Sequence, residues 1–140
     1  MKILHSARVT ATGGRRGRAV ASNGAFDVRF VAPIAQARDP SAGHTPEQLF
    51  AACFSACFLE AIQTSAKRRS AKLASDSTVT AQVGIGRRGD GIGFGLDVGL
   101  TVSLPEIDPR LAHELVEEAQ GICAYTHATR GGIDLRITVS

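Results

Sequence analysis

Three cysteines, an arginine-rich turn and an early glutamate hold most of the reactive chemistry in this chain. A free thiol can act as a nucleophile, a redox centre, a metal ligand or a small apolar packing group. Phe50, Cys53, Phe54 and Cys57 are spaced to form one stripe on a helix. In an apolar stripe packing is the ordinary role, and burial raises a thiol pKa. Position 57 is also too far from the start of its helix to feel the dipole. A reactive Cys57 therefore needs a cation brought from elsewhere, and the turn at Arg15-Arg16-Gly17-Arg18 is one candidate supplier.

A metal site is the other chemistry to weigh. Cys53 with Cys57, and Cys123 with His127, are i,i+4 pairs that together would make a Cys₃His set for zinc. The loop spacing of a structural zinc knuckle is missing, as is an acidic outer shell, so no metal is expected. A Cys53–Cys57 disulfide is equally disfavoured, because Cβ atoms at i,i+4 lie ~5–6 Å apart against the ~3.8 Å a disulfide requires.

The frame around these residues is that of an ordinary globular chain. Its 140 residues are 44% apolar and 21% charged, which argues against disorder and fits a single domain over 1–140. Neither a signal peptide nor an apolar run near the ~20 residues of a membrane span is read, and an odd, small cysteine count fits the cytoplasm. The net charge of +3 is Arg-heavy, with thirteen Arg against three Lys. No aromatics interleave with the basic clusters, so solvated surface arginine is the better reading than nucleic-acid binding.

The pattern of elements predicts an α+β domain with mainly antiparallel sheet, in the order ββ–α–ββ–α–β. A first hairpin pairs 18–22 with 25–31 across Asn23-Gly24, with Phe26, Val28 and Phe30 on one buried face. Pro33 ends that strand and a loop follows. Thr45 as N-cap, Pro46 at N1 and Gln48 closing a capping box begin a helix, apolar nearly all round from 49 to 62 and hence buried. Lys67-Arg68-Arg69 suits its C-terminal pole. A second hairpin covers 77–103 and turns at Gly89-Asp90-Gly91. Asp108-Pro109 starts a helix that reaches Cys123, one more turn runs to Arg130, Gly131-Gly132 stops it, and a last strand spans 133–139.

Several segments together resemble one family. Gly13-Gly-Arg-Arg-Gly17, Ser22-Asn-Gly24, Thr45-Pro-Glu-Gln-Leu-Phe-Ala-Ala52, Ala56-Cys-Phe58 and Cys123-Ala-Tyr-Thr-His-Ala-Thr-Arg-Gly131 stand in the order seen in organic hydroperoxide resistance (Ohr) proteins of the OsmC-like superfamily. The resemblance covers nearly the whole chain. It implies antiparallel sheets packed around two central helices in an intertwined homodimer. It also implies a thiol-dependent peroxidase that reduces organic hydroperoxides, whether alkyl, aryl or fatty-acid, to alcohols in oxidative stress.

By position in that family Cys57 matches the peroxidatic cysteine and Cys123 the resolving one. Arg15 matches the activating cation, and Glu47 the carboxylate that orients it, expected here through a bidentate contact. Phe50 and Phe54 offer an apolar bed for substrate. No bound cofactor is expected; the reductant is an external dithiol, dihydrolipoamide or a lipoylated protein. An OsmC-type peroxidase of different substrate preference and a non-enzymatic zinc-binding or redox-sensing module are the alternatives. The chain departs from the family at Ala124, usually proline, at Gly132, usually Asn, at Cys53, where glycine is common, and at Glu60, which replaces a small residue. An unpaired Glu60 carboxylate near Cys57 would oppose ionisation of the thiol.

Assembly follows from helix arithmetic. Glu47 and Cys57 lie ten residues apart, ~15 Å along an unbroken helix, so one Arg side chain cannot easily touch both within a subunit. A homodimer with two active sites at its interface is the expected resolution.

Overall fold

The computed structural model describes residues 2–129 and 134–139. Arg130, Gly131, Gly132 and Ile133, expected to end the last helical turn and open the last strand, lie outside the described residues. The chain forms two compact units, residues 1–49 and 50–140.

In the first unit β1 (Val9–Thr12), β2 (Arg18–Ala21) and β3 (Asp27–Arg29) make an antiparallel sheet in the order β1-β2-β3. A 3-10 turn, Gly14–Arg16, joins β1 to β2. The hairpin at Asn23-Gly24 forms, but its loop is wider than two residues. Ala21 N–H reaches the Phe26 carbonyl at 2.8 Å, while the Asn23 side chain accepts from Ala25 N–H at 3.1 Å. That Asx turn spends extra residues on the bend and leaves β3 only three long. The expected buried face is correspondingly incomplete: Phe26 is 38% exposed, while Val28 and Phe30 are half-buried. Pro33 also starts an element rather than merely ending one. It occupies the first turn of the short helix α1 (Pro33–Arg38), where its missing N–H costs nothing.

Helix α2 (Pro46–Arg68) starts as its sequence demands. Gln48 N–H donates to Thr45 Oγ1 at 3.3 Å, and Thr45 N–H donates back to Gln48 Oε1 at 3.1 Å. The helix is unbroken from Glu47 through Cys57. By length and composition alone its 23 residues would suffice to cross a membrane, contrary to the sequence expectation. Its buried side chains are instead protein core: Phe54, Phe58, Ala61 and Ile62 belong to the second unit and pack with its other residues. Burial is one-sided, however, since Ala52, Cys53, Ala56 and Glu60 are exposed. The helix leaves the core at Ser70, which adopts a left-handed φ of 54° so that Ala71 N–H can reach the Ala66 carbonyl at 2.9 Å.

The second unit holds β4 (Thr78–Arg87), β5 (Phe94–Ser103), α3 (Pro109–Ile122), α4 (Ala124–Thr129) and β6 (Asp134–Val139). Strands β4 and β5 pair antiparallel from Thr78↔Ser103 to Arg87↔Phe94. Strand β6 runs parallel to β5, so this sheet is mixed rather than antiparallel. The helical crossover through α3 and α4 is what a parallel return requires. Val98, Leu100 and Val102 of β5 and Leu115, Val116 and Ala119 of α3 join the α2 side chains in one core. Asp108 caps α3, its side chain accepting from Arg110 and Leu111 N–H.

Arg69, in the basic run after α2, is held by carboxylates rather than by a helix pole alone. It donates to Glu118 at 2.8 and 2.5 Å and to Glu114 at 2.5 Å, and the buried Ser65 hydroxyl also donates to Glu118. The Arg69 guanidinium first, and the Ser65 hydroxyl second, hold the Glu118 carboxyl below its ordinary range. A depressed carboxylate contributes stability above its unfolded value of ~4.3 and loses it as pH falls through the folded value. Glu118→Gln is therefore expected to lower the urea midpoint at pH 7, with the gap to wild type narrowing as pH falls through the folded value. A gap that does not change with pH would mean the charge is not its source.

Candidate active site

Cys57 and Cys123 meet within the second unit. Cys57 projects from the middle of α2, and Cys123 sits at the joint between α3 and α4. There Cys123 N–H still reaches the Ala119 carbonyl at 2.9 Å, while its own carbonyl accepts from His127 N–H at 3.1 Å. This double anchoring fixes a buried side chain whose sulfur lies 3.4 Å from that of half-buried Cys57. All three cysteines are free thiols. Closing a disulfide from 3.4 Å requires the sulfurs to approach by only about 1.4 Å.

Burial pushes the Cys57 thiol up from its ordinary value, and the Cys123 thiol adds to that, while the Tyr125 and Ala124 amides pull it down. Those two amides open α4, where backbone N–H groups have no partner inside the helix. Ala124 thus supplies an N–H that a proline at this position would lack. The substitution, read from sequence as a departure from the family, has an electrostatic consequence at Cys57. Glu60 is exposed and is not among the groups that shift Cys57. The net upward shift leaves standing the requirement for a cation that the sequence raised.

Phe50 and Phe54 meet edge to face at 5.9 Å, and Tyr125 completes the cluster at 6.1 Å from Phe50 and 5.7 Å from Phe54. Burial raises the Tyr125 phenol, and a hydrogen bond with Cys53 adds to the shift. Tyr125 is the residue that sequence reasoning passed over. The available signal was its place two residues after Cys123, on a helical turn that had to pack against the Phe50–Phe54 stripe. Among the described residues no group of three His, Cys, Asp or Glu side chains is placed to hold a metal ion.

Arg15 and Glu47 meet within the first unit. Gly13 and Gly14 adopt positive φ (70° and 57°), and the 3-10 turn they open presents Arg15. Arg15 Nη2 donates to Glu47 Oε1 at 2.5 Å, in the first turn of α2. The contact is a single hydrogen bond, not the bidentate one expected. Burial works against the Glu47 carboxylate, yet Arg15 and the local backbone N–H outweigh it and hold the group below its ordinary range. Arg18, in the same basic cluster, is paired with Asp27 and so accounted for structurally.

Gly17 closes this turn with no room for a side chain, because a Cβ there would stand 1.7 Å from the Thr12 carbonyl oxygen. Gly17→Ala is expected to displace the turn and destabilise the fold by about 1–3 kcal/mol, read as a lower urea midpoint. An unchanged midpoint in that variant would show that the turn accommodates a side chain.

The profile of the OsmC-like protein family matches residues 38–138. The chain is 40% identical over 139 residues to an organic hydroperoxide resistance protein of Xanthomonas axonopodis pv. citri, covering 99% of this chain and 96% of that one. It superposes on the crystal structure of the organic hydroperoxide resistance protein OhrB of Bacillus subtilis with a TM-score of 0.89 at 37% identity, covering 99% of this chain and all of that one. An organic hydroperoxide resistance protein from Elizabethkingia anophelis is similar at 39% identity and a TM-score of 0.85, covering 100% and 99% of the two chains. These full-length likenesses make the chain a member of the OsmC-like family, on its organic hydroperoxide resistance branch.

Proposed function

We propose that the chain is a cysteine-based peroxidase that reduces organic hydroperoxides to alcohols. The observation that carries this reading is the Cys57–Cys123 sulfur contact of 3.4 Å beside Phe50, Phe54 and Tyr125. The Cys57 thiolate attacks a peroxide oxygen, an S–O bond forms as the O–O bond breaks, and the alcohol departs after taking a proton. Cys57 is left as a sulfenic acid. The Cys123 sulfur then attacks Cys57, water leaves, and a disulfide remains. An external dithiol, dihydrolipoamide or a lipoylated protein, returns both thiols by exchange.

Arg15 supplies the cation that stabilises the thiolate and the charge on the departing oxygen, and Glu47 holds its guanidinium. Phe50 and Phe54 bed the organic part of an alkyl, aryl or fatty-acid substrate. Two copies assemble as a homodimer with two active sites at its interface, which would cover the exposed face of α2 at Ala52 and Ala56. The setting is cytoplasmic.

Turnover of cumene hydroperoxide with dihydrolipoamide tests the reading: steady consumption with stoichiometric alcohol supports it, and no turnover defeats it. Arg15 has its own test in the pH dependence of Cys57 alkylation. With an opposite charge worth about 1–3 pH units at close range, Arg15→Ala is expected to move the midpoint upward by that order. An unmoved midpoint would rule out Arg15 as activator.

A further inference from the structure

We propose that Ser65, Arg69 and Glu118 form a positioning clamp that sets the register of α3 on α2 and so keeps the Cys123 sulfur within reach of Cys57. The proposal deepens the redox-couple reading above and rests on it. The three residues act through the helices that carry the sulfurs, not on the sulfurs themselves.

Two sulfurs on different helices meet only while those helices keep one register. Three contacts define it here: Cys57 with Cys123, Ser65 with Glu118, and Arg69 with Glu114. The numbers rise along α2 as they fall along α3, so the two helices run antiparallel. Ser65 lies ~12 Å beyond Cys57 along its helix, and Glu118 ~7.5 Å before Cys123 along the other. The clamp is thus a second tie point within about two turns of the sulfurs. Nearby, Phe58, Ala61 and Ile62 share an apolar core with Leu115, Val116 and Ala119. Such contact is non-directional, and packed helices can slide on it by small shears.

The clamp supplies the missing direction. The fully buried Ser65 hydroxyl donates to Glu118 Oε2, while Arg69 Nε and Nη2 donate to Oε1 at 2.8 and 2.5 Å, so both oxygens of one α3 carboxylate are held from the α2 side. Arg69 Nη1 reaches Glu114, one turn earlier on α3, at 2.5 Å. The Arg69 backbone is itself fixed to the last turn of α2, its N–H shared between the Ser65 and Ala66 carbonyls at 3.2 and 3.1 Å. Among the described residues no other ion pair joins this helix to α3. Arg69 and Glu118 are 39% and 37% exposed, so their pairing adds little to stability. Placement is another matter, because a shift of ~1 Å at reacting atoms can cost ~10²-fold.

Equilibration of the intact protein with reduced and oxidised glutathione gives the reduction potential of the Cys57–Cys123 couple without any peroxide. Two glutathione thiols become one disulfide as the protein disulfide becomes two thiols. The Ser65→Ala/Arg69→Gln double variant is expected to form the Cys57–Cys123 disulfide about tenfold less readily, raising the potential by about 30 mV. Ser65→Ala alone, which deletes one hydroxyl and suits a helix, should move it the same way by less. Arg110→Gln removes a pair that lies wholly within α3 and should leave the potential in place. A loss of stability common to both redox states would not move it. Unmoved potentials in the Ser65 and Arg69 variants, or an equal shift in Arg110→Gln, would overturn the clamp and leave the couple standing. A wild-type chain that forms no Cys57–Cys123 disulfide would overturn both.

Discussion

Replacing Cys57 by serine is expected to reduce peroxidase turnover by at least ~10³-fold. The two side chains differ by one atom, and a half-buried position on an intact helix tolerates the change. What is lost is ionisation, because a hydroxyl does not form its anion near neutral pH under influences that suffice for a thiol. Steady-state reduction of cumene hydroperoxide with dihydrolipoamide measures the effect, and a thermal melt on the same sample shows that the fold persists. A folded variant retaining more than a few per cent of the rate would mean that the nucleophile lies elsewhere.

The second large effect is expected at Cys123. Cys123→Ser leaves the attacking thiol in place, so peroxide should still be reduced once per Cys57. Turnover then stops, because no sulfur stands 3.4 Å away to capture the sulfenic acid. Rapid quenching should show a burst of one alcohol per chain, followed by a steady rate down by ~10²-fold or more and by slow over-oxidation of Cys57 to the sulfinic acid. Normal turnover of this variant with a dithiol would remove Cys123 from the cycle. Cys53 is not expected to substitute, since an i,i+4 disulfide would require the helix to unwind.

How far such chemistry can be read from sequence depends on how local its causes are. The capping box of Thr45 and Gln48, the Asp108 cap and the Gly89–Gly91 turn all form where short-range rules place them. The alternating face of β5 is buried at Val98, Leu100 and Val102 for the same reason. Errors arose where a local signal had two outcomes. Asn23-Gly24 does turn the chain, but the Asn23 side chain draws two more residues into the loop and shortens β3. Pro33 is equally suited to ending a strand and to opening a helix. The direction of β6 was not legible from its own residues, because a short apolar strand pairs either way and the crossover through α3 and α4 decides.

The site divides along the same line. Cys57 and Cys123 are 66 residues apart, and no local rule brings their sulfurs together; only family resemblance pointed to that pair. The need for an imported cation, by contrast, followed from the apolar stripe alone, and burial pushes the Cys57 thiol in the direction that reading assumed. The pull of the Ala124 and Tyr125 amides on Cys57 escaped because backbone N–H groups make it, and side-chain motifs do not display those. The apolar circumference of α2 suggested full burial, yet its exposed apolar positions are small ones such as Ala52 and Ala56. Composition cannot tell such a face from a packed one.

The central claim is that Cys57 and Cys123 form one redox couple driven by peroxide. Its most direct test is to treat the fully reduced protein with one equivalent of cumene hydroperoxide, block the remaining thiols and map the peptides by mass. The account predicts one equivalent of alcohol, a Cys57–Cys123 disulfide in nearly every chain, and Cys53 recovered as the blocked free thiol. Peroxide consumed with Cys57 and Cys123 both still free, or a disulfide that includes Cys53 in place of either, would contradict it.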